Sequence, residues 1–309
     1  MKKLVSYDNG NVHIDLYKDG TLIRTFDETK PLVINHPSSM DVKITNYCEP
    51  TENNPICAYC HEKSNLNGTH GDVNKLLDVI SVLPAGVELA YGGGNPLAHP
   101  EIISLLRASK KYGYISNITI NQKHINKYQD LINKIIKEKL VHGVGISYSS
   151  TDYLSDIQPL FKISDNVVFH VIMGINKVED IDTLYNFCKE NNKECKVLIL
   201  GYKNYGFGIN YYLKNKNVED NKYQWYIRLA SYFKKDGLTL SFDNLAIEQL
   251  KLKRYFTEDA WNTFYMGSDG VWTMYIDAVN QEYAKSSTSK DRMSFNDINL
   301  LEFFKTLNN

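Results

Sequence analysis

Short apolar segments alternate with amphipathic segments along most of the chain. The segments between the apolar ones have helical periodicity; over 125–139, for example, Ile125, Leu131 and Ile135 share one side of a helix. Strands that alternate with helices favour right-handed βαβ crossovers and a parallel sheet, either doubly wound or closed into a full or partial barrel. In each case the ligand site lies at the carboxyl ends of the strands. Seven apolar segments rich in Val or Ile are predicted as buried strands: 40–46, 86–91, 115–120, 143–148, 167–173, 195–200 and 237–242.

Turn and cap residues divide this pattern. Asp72 can cap the helix that follows it, and Pro100 suits the first turn of the next helix, which Gly113 can end. The segment 12–17 alternates between Asn-Gly and Asp-Gly turn signals and predicts a strand. We therefore predict an N-terminal β element (1–35), a central α/β domain (36–245) and a C-terminal extension (246–309), where the repeat is lost.

The composition supports a folded protein and restricts its partners. Of the 309 residues, 43% are hydrophobic, and 35 Lys and Arg balance 36 Asp and Glu. This excludes a disordered chain and argues against a nucleic acid or anionic membrane partner, since either requires a basic surface. The first residues lack the apolar segment of a signal peptide, and no apolar run reaches the roughly 18–20 residues that span a bilayer. We expect a cytoplasmic protein with reduced thiols.

Three of the five cysteines lie close together after the first predicted strand. Cys48, Cys57 and Cys60 form the pattern Cys-x8-Cys-x2-Cys. The other two, Cys188 and Cys195, fall in a predicted helix and a predicted strand, where a free cysteine behaves as a small apolar residue. We therefore expect three metal ligands and two core residues.

The cysteine loop can hold an iron–sulfur cluster or a zinc ion. Three thiolates on a [4Fe–4S] cluster leave one iron without a protein ligand, and such an iron is open to chemistry. Zinc would need a fourth ligand, His61 or His70, and would make the protein a zinc-stabilised α/β binding protein without radical chemistry. Against zinc, His61 directly follows Cys60, and adjacent residues are poorly placed to bind one small ion. Free thiols are the third possibility.

A run of three glycines, Gly92 to Gly94, ends the second predicted strand and is followed by Asn95. Glycines let backbone groups approach a ligand closely. A bare turn explains such a run equally well, and a phosphate-binding α/β enzyme is a further alternative. Because the second strand neighbours the first, we expect this turn to face the cysteine loop.

These motifs together resemble the radical S-adenosylmethionine (radical SAM) superfamily, which has three cysteines in a loop after the first strand of a partial barrel. Tyr59 matches the aromatic residue before the third cysteine. The segment 93–96, Gly-Gly-Asn-Pro, corresponds to the Gly-Gly-Glu-Pro turn that holds the amino group of SAM in that family. Asn95 keeps a carbonyl acceptor but lacks the charge, so we expect SAM binding to depend more on the iron and the backbone.

The resemblance covers about 40–243 and implies further contacts with SAM. Asn121 ends the third strand, and Ser147 ends the fourth, where the family contacts the ribose. Ile172 and Gly174 take the place where the family packs the adenine, and Lys203 the place where a polar group meets the SAM carboxylate. The implied cofactor-binding residues are Tyr59, Gly93, Gly94, Asn95, Asn121, Ser147, Ile172, Gly174 and Lys203, and the implied metal ligands are Cys48, Cys57 and Cys60.

The resemblance also implies a fold and a reaction. The expected fold is α/β, a partial (β/α)6 TIM-like barrel with an N-terminal β cap and a C-terminal extension. The expected activity is reductive cleavage of SAM, by a [4Fe–4S] cluster, into methionine and a 5′-deoxyadenosyl radical that abstracts hydrogen from a peptide or small metabolite. The expected electron donor is a protein such as flavodoxin or ferredoxin.

The sequence gives less information on the substrate site and on the C-terminal extension than on the cofactor site. The segment 264–277 resembles the start of the extension that binds auxiliary clusters in peptide-modifying members, but it has no cysteine, so we predict one cluster only. A hairpin with a turn at Asp269-Gly270 that closes the side of the barrel is an equal alternative. Candidates for the substrate site, each with packing as its alternative role, are Tyr91, His99, Asn121, Tyr148, His170, Asn176 and Tyr205.

Overall fold

A computed structural model describes residues 2–51, 55–265 and 267–308. Residues 52–54 of the cysteine loop and Met266 of the extension lie outside the described residues. The described strands form a three-stranded and a ten-stranded sheet. The strands are β1 Lys3–Asn9, β2 Val12–Tyr17, β3 Leu22–Thr25, β4 Ser39–Thr45, β5 Glu88–Gly93, β6 Ile115–Asn121, β7 Gly143–Ser147, β8 Val167–Ile172, β9 Cys195–Leu200, β10 Leu238–Phe242, β11 Thr273–Asp277, β12 Glu282–Ala284 and β13 Arg292–Ser294.

Helices connect these strands and cover one face of the large sheet. Asp72 caps α1 by accepting from the backbone N–H of Lys75, as predicted, and Gly113 ends α2 in the left-handed conformation. The predicted helix over 125–139 begins later, at Gln129, because the Asn121 side chain caps a separate short turn over 122–124. The helices are α1 Val73–Ile80, α2 Ile102–Tyr112, α3 Gln129–Lys137, α4 Leu154–Phe161, α5 Asp180–Glu190, α6 Phe207–Lys214, α7 Asn217–Arg228, α8 Asn244–Leu250, α9 Glu258–Phe264 and α10 Leu300–Leu307.

The large sheet has the strand order β10-β9-β8-β7-β6-β5-β4-β11-β12-β13. Strands β4 to β10 are parallel neighbours in chain order, and they confirm all seven predicted strands within a few residues. This succession of strand and helix is the predicted α/β fold with a partial TIM-like barrel. None of the helices in the described ranges is both long and apolar enough to cross a membrane.

The two faces of the large sheet differ in chemistry. In β6, Ile118 and Ile120 are buried against the helices, whereas Asn117, Thr119 and Asn121 alternate with them and face the inside of the barrel. A closed TIM barrel fills its interior with branched side chains. Here the strands place both polar and apolar side chains inside the barrel, and most of these positions are half-buried. The barrel therefore encloses an open lumen, and its packed core lies between the sheet and the helices.

The N-terminal strands form a separate sheet in the order β1-β2-β3. The predicted strand over 12–17 is confirmed as β2, whose Val12 and Ile14 pack on Trp272. Tyr7 of β1 lies against Gly86, two residues before the amino end of β5. This sheet consequently covers the end of the barrel opposite the cysteine loop.

The C-terminal extension adds a strand that the hydrophobic pattern did not predict. β11 pairs in parallel with β4, with Asp277 opposite Lys43, and then forms an antiparallel hairpin with β12. The predicted hairpin is present, but its turn is not at Asp269-Gly270, because these two residues precede β11. The actual turn is held by the Asp277 carboxylate, which accepts from the backbone N–H groups of Val279 and Asn280 at 3.0 Å each.

Candidate active site

The cysteine loop lies at the carboxyl end of β4, at the mouth of the barrel. The backbone N–H of Cys48 donates to the carbonyl of Asn65 at 3.0 Å, and that of Cys60 donates to the carbonyl of Cys57 at 3.1 Å. The second bond closes a tight turn that holds Cys57 and Cys60 together. All three cysteines are half-buried. Phe207, at the start of α6, donates its N–H to the carbonyl of Cys60 at 2.9 Å and fixes the loop from the other side.

The environments of the cysteine thiols show that the three side chains are close to one another. Burial first, and then the nearby Cys57 and Cys60, raise the pKa of Cys48 to about 12. Burial also raises the pKa of Cys60, although N–H groups of Glu62 and Ser64 oppose the shift. The Asn121 amide approaches the sulfur of Cys57 at 3.8 Å. Without a positively charged group to bind, three such thiolates would repel one another.

These residues fit a cluster better than a single ion. Among the described residues, no group of three or more His, Cys, Asp or Glu side chains is arranged to hold one metal ion. A zinc ion would require sulfur atoms about 4 Å apart. His70, one proposed fourth ligand, has its Nδ1 at 2.9 Å from the hydroxyl of Thr45. The donor set, three neighbouring thiols without a fourth ligand at the same point, is the set that a [4Fe–4S] cluster with one open iron requires.

A cavity of about 270 Å³ lies in the lumen directly next to Cys57 and Cys60. It brings together most of the residues that the resemblance implies as SAM contacts. The predicted residues that line it are Cys57, Tyr59, Cys60, Gly93, Asn121, Ser147, Ile172 and Lys203. Of the substrate candidates, Asn121, Tyr148 and His170 line it as well.

Four predicted contacts lie elsewhere. Cys48, Gly94, Asn95 and Gly174 do not line this cavity. Gly174 has a φ of +90°, and a Cβ there would lie 2.9 Å from Val218, so this glycine accommodates α7. The roles of these residues toward SAM stay predictions.

The glycine turn packs against the cysteine loop. A Cβ on Gly94 would lie 2.1 Å from the carbonyl oxygen of Tyr47, and one on Gly93 2.3 Å from that of Thr45. The N–H of Gly94 donates to Thr45 at 2.8 Å. Gly93 and Gly94 therefore serve close backbone packing, which explains their presence without a ligand. The N–H of Gly94 is therefore not free to bind a phosphate.

Asn95 is fully buried and bonded within the protein. Its Oδ1 accepts from the N–H of Leu97, and its Nδ2 donates to Oε1 of Glu49 at 3.1 Å. The hydroxyl of Tyr128 and the ammonium of Lys127 also donate to that oxygen, at 2.6 and 3.1 Å. Oε2 of Glu49 is buried with no hydrogen-bond partner among the described residues. The carboxylate of Glu49, the residue after Cys48, thus lies beside Asn95. The sequence did not predict this contact, because it depends on the fold.

A buried ion-pair network joins the cysteine loop to the extension, and it too was missed. The ammonium of Lys43 lies 2.8 Å from Oε2 of Glu62 and 3.1 Å from Oδ2 of Asp277. The hydroxyl of Tyr275 donates to Oε1 of Glu62 at 3.0 Å. Burial disfavours the charge on Lys43, but the two carboxylates outweigh it and raise the pKa of this lysine. The sequence contains one signal of this network, a lysine within a strand of apolar residues. It does not indicate the partner of that lysine, which lies 234 residues away.

The remaining substrate candidates do not line this cavity. Tyr91 is buried with its hydroxyl 2.6 Å from that of Ser109, and His99 contacts the carbonyl of Gly71 at 3.1 Å. Asn176 donates to Tyr148, and its Oδ1 accepts from the N–H of Ile172 at 2.8 Å. Tyr205 is exposed. For Tyr91, His99 and Asn176 the packing alternative describes the structure, and the role of Tyr205 stays a prediction.

His170 differs from them because its ring lies free in the lumen. It occupies the space left by Gly145, where a Cβ would lie 2.5 Å from its Cε1. Burial lowers the pKa of His170 to about 4, so the ring is neutral at physiological pH. It makes no side-chain hydrogen bond to the described residues. The sequence suggested only that it could point inward.

His170→Gln is expected to make the protein less sensitive to acid. Between pH about 6.5 and 4 the unfolded chain binds a proton at this histidine and the folded chain does not, so the free energy of unfolding falls as the pH falls through this window. The full effect is on the order of 3 kcal/mol. Denaturant unfolding of both proteins at pH 7 and pH 5 measures it.

His13→Gln is the control for that experiment. His13 is exposed, and its hydrogen bond to Asp8 raises its pKa, so its removal should not lessen the loss of stability in acid. Equal losses from pH 7 to pH 5 in wild type and His170→Gln would contradict the expectation.

Comparisons with known proteins agree with this fold. No family model matches the chain. The tungsten-containing aldehyde ferredoxin oxidoreductase cofactor-modifying protein of Pyrococcus furiosus is 26% identical over 155 residues, 48% of this chain and 38% of that protein. Crystal structures of Streptococcus suis SuiB match 88% of this chain. With SAM bound the TM-score is 0.62 at 12% identity, and with the precursor peptide SuiA it is 0.60 at 14%.

These matches confirm the predicted fold class. SuiB binds S-adenosylmethionine in one of these structures and a precursor peptide in another, and at 12–14% identity the likeness to this chain is one of fold. The chain covers 65–66% of the SuiB chains and 38% of the curated relative, so it spans less than two thirds of either.

Proposed function

We propose that this protein is a radical SAM enzyme that acts on a peptide. Cys48, Cys57 and Cys60 would hold a [4Fe–4S] cluster, and SAM would occupy the adjoining cavity. The observation that carries the proposal is the position of the three cysteines in one loop at the carboxyl end of the barrel, beside a cavity lined by most of the residues that the superfamily pattern implies. The reduced cluster and SAM, when bound, supply a 5′-deoxyadenosyl radical that abstracts hydrogen from the substrate.

The residues of the cavity suit the parts of SAM. Lys203 presents an ammonium to the carboxylate, and its Nζ is held by the hydroxyl of Ser287 at 2.9 Å. Ser147 and Asn121 offer hydrogen bonds to the ribose, and Ile172 offers an apolar surface to the adenine. Glu49 adds negative charge near Asn95, on the side where the superfamily binds the amino group. Tyr59, packed edge-on against Tyr211, shields the cluster from solvent.

A peptide is the substrate class that we favour. A second cavity of about 260 Å³ adjoins the first, shares Asp41 and Tyr275 with it and lies between β10 and β11. Such an opening gives an extended chain a route to the site. The SuiB structure with its precursor peptide supports the same class.

The electron source and cellular location complete the proposal. We take a flavodoxin or ferredoxin as the electron donor. The cytoplasm is the compartment that keeps three unpaired thiols reduced.

Anaerobic reconstitution with iron and sulfide tests the proposal. The expected result is brown protein with about four irons per chain that converts SAM into 5′-deoxyadenosine after reduction with dithionite. Colourless protein, or protein that binds one zinc and does not cleave SAM, would overturn it and favour the zinc-stabilised binding protein.

A further inference from the structure

The C-terminal extension contacts the cysteine loop through side chains that are buried and charged. Asp277 is 1% exposed, and Lys43 is 6% exposed. Separating the partners of a buried ion pair leaves an uncompensated charge in the protein interior, which is unfavourable. Such groups therefore stay in contact. The network therefore restrains the three elements that it joins: β11, β4 and the loop residue Glu62.

Asp277 is the rigid end of the network. One carboxylate oxygen accepts from the N–H groups of Val279 and Asn280, and the other accepts from the Asn280 amide and from Lys43. The N–H of Ala278 donates to the carbonyl of Lys43 at 2.9 Å. The turn after β11 thus fixes both the main chain and the side chain of Lys43.

Glu62 is the end of the network that bears on the site, because it follows Cys60 by two residues. Its Oε2 binds Lys43 and its Oε1 accepts from Tyr275, so both oxygens of this carboxylate are held by groups outside the loop. Tyr275 also lines the cavity. Two separate residues of β11, Asp277 through Lys43 and Tyr275 directly, therefore act on one carboxylate.

We propose that the C-terminal extension positions the cysteine loop through Asp277, Lys43, Glu62 and Tyr275, and so sets the geometry in which the loop holds its cluster and presents SAM. The expected effect on SAM binding rests on the proposed function. The positioning of the loop does not depend on it. The extension, which has no cysteine, then acts as a support for the single cluster of this chain. Asp277 and Tyr275 are positioning residues.

Two variants in the extension test the proposal without changing the loop. Asp277→Asn keeps the acceptor for the turn but loses the charge that faces Lys43, and Tyr275→Phe removes only the hydroxyl. Glu302→Gln is the matched control, since Glu302 is an exposed carboxylate of the extension, on α10, that makes no ion pair with the described residues. Tyr275→Phe remains informative if Asp277→Asn folds poorly.

The first readout is amide hydrogen exchange over 55–65 in metal-free protein. We expect faster exchange of this segment in both variants, with β1–β3 and the control unchanged. Wild-type exchange over 55–65 in both variants would overturn the proposal. Faster exchange throughout the chain would also overturn it, because it would indicate general loss of stability.

The second readout uses reconstituted protein. We expect the iron content to be kept, the electron paramagnetic resonance spectrum of the SAM-bound cluster to change, and the KM for SAM to rise about 10- to 100-fold with a smaller change in kcat. An unchanged spectrum and KM in both variants would overturn the proposal. If the wild type binds no iron while 55–65 still exchanges faster in the variants, the positioning stands and the proposed function falls.

Discussion

Replacement of Cys57 by serine is expected to remove the iron–sulfur chromophore and to reduce SAM cleavage more than about 100-fold, since loss of even an outer-shell group costs 10- to 100-fold. Cys57 lines the cavity and shares a tight turn with Cys60, so its loss removes one of the three proposed ligands. The serine hydroxyl is a poor substitute, because the ligand of such clusters is a thiolate. Iron per chain, the visible spectrum and 5′-deoxyadenosine formation measure the effect.

Cys188→Ser is the matched control. Cys188 is buried in α5 in contact with Cys195, as predicted for a core residue, and is remote from the loop in the fold. This variant should keep its iron and its SAM cleavage at the cost of some stability. Equal loss of iron in both variants, or full iron in Cys57→Ser, would show that the loop does not hold the cluster.

Gly94→Ala is expected to destabilise the protein by about 2–4 kcal/mol and to impair iron binding. Its methyl group would lie 2.1 Å from the carbonyl oxygen of Tyr47, so either the glycine turn or the start of the cysteine loop has to move. Because Cys48 directly follows Tyr47, the displacement reaches a proposed metal ligand. Denaturant unfolding of metal-free protein and iron content after reconstitution measure the two effects.

Gly92→Ala separates packing from ligand binding in the same turn. A Cβ on Gly92 meets only Thr119, at 4.0 Å, and projects into the cavity. This variant should fold with nearly wild-type stability and bind SAM less tightly. Similar stability of the two variants would contradict the role assigned to Gly94.

The strands and the cysteine loop could be predicted from the sequence because their signals are local. Each strand is a run of apolar residues, and three cysteines within thirteen positions carry their own chemistry. Asp72 and Gly113 act at helix ends through neighbours in the chain, so they too were predicted correctly.

Features that depend on distant contacts could not be predicted. The glycine run suggested space for a ligand, but Gly94 makes space for Tyr47, which precedes it by 47 positions. The pairing of β11 with β4, and of Asp277 with Lys43, joins residues 234 positions apart. Neither the sequence of β4 nor that of β11 indicates the strand with which it pairs.

The open lumen has a consequence for how this protein can change. Neighbouring residues of β6 have different roles: Ile118 and Ile120 pack in the core, whereas the Thr119 side chain faces the interior space and makes no hydrogen bond to the described residues. Substitutions of the second kind cost little stability, and stability is the usual limit on accepting mutations. The barrel can therefore acquire a new specificity by replacing alternate residues of its strands, while the layer against the helices keeps the fold.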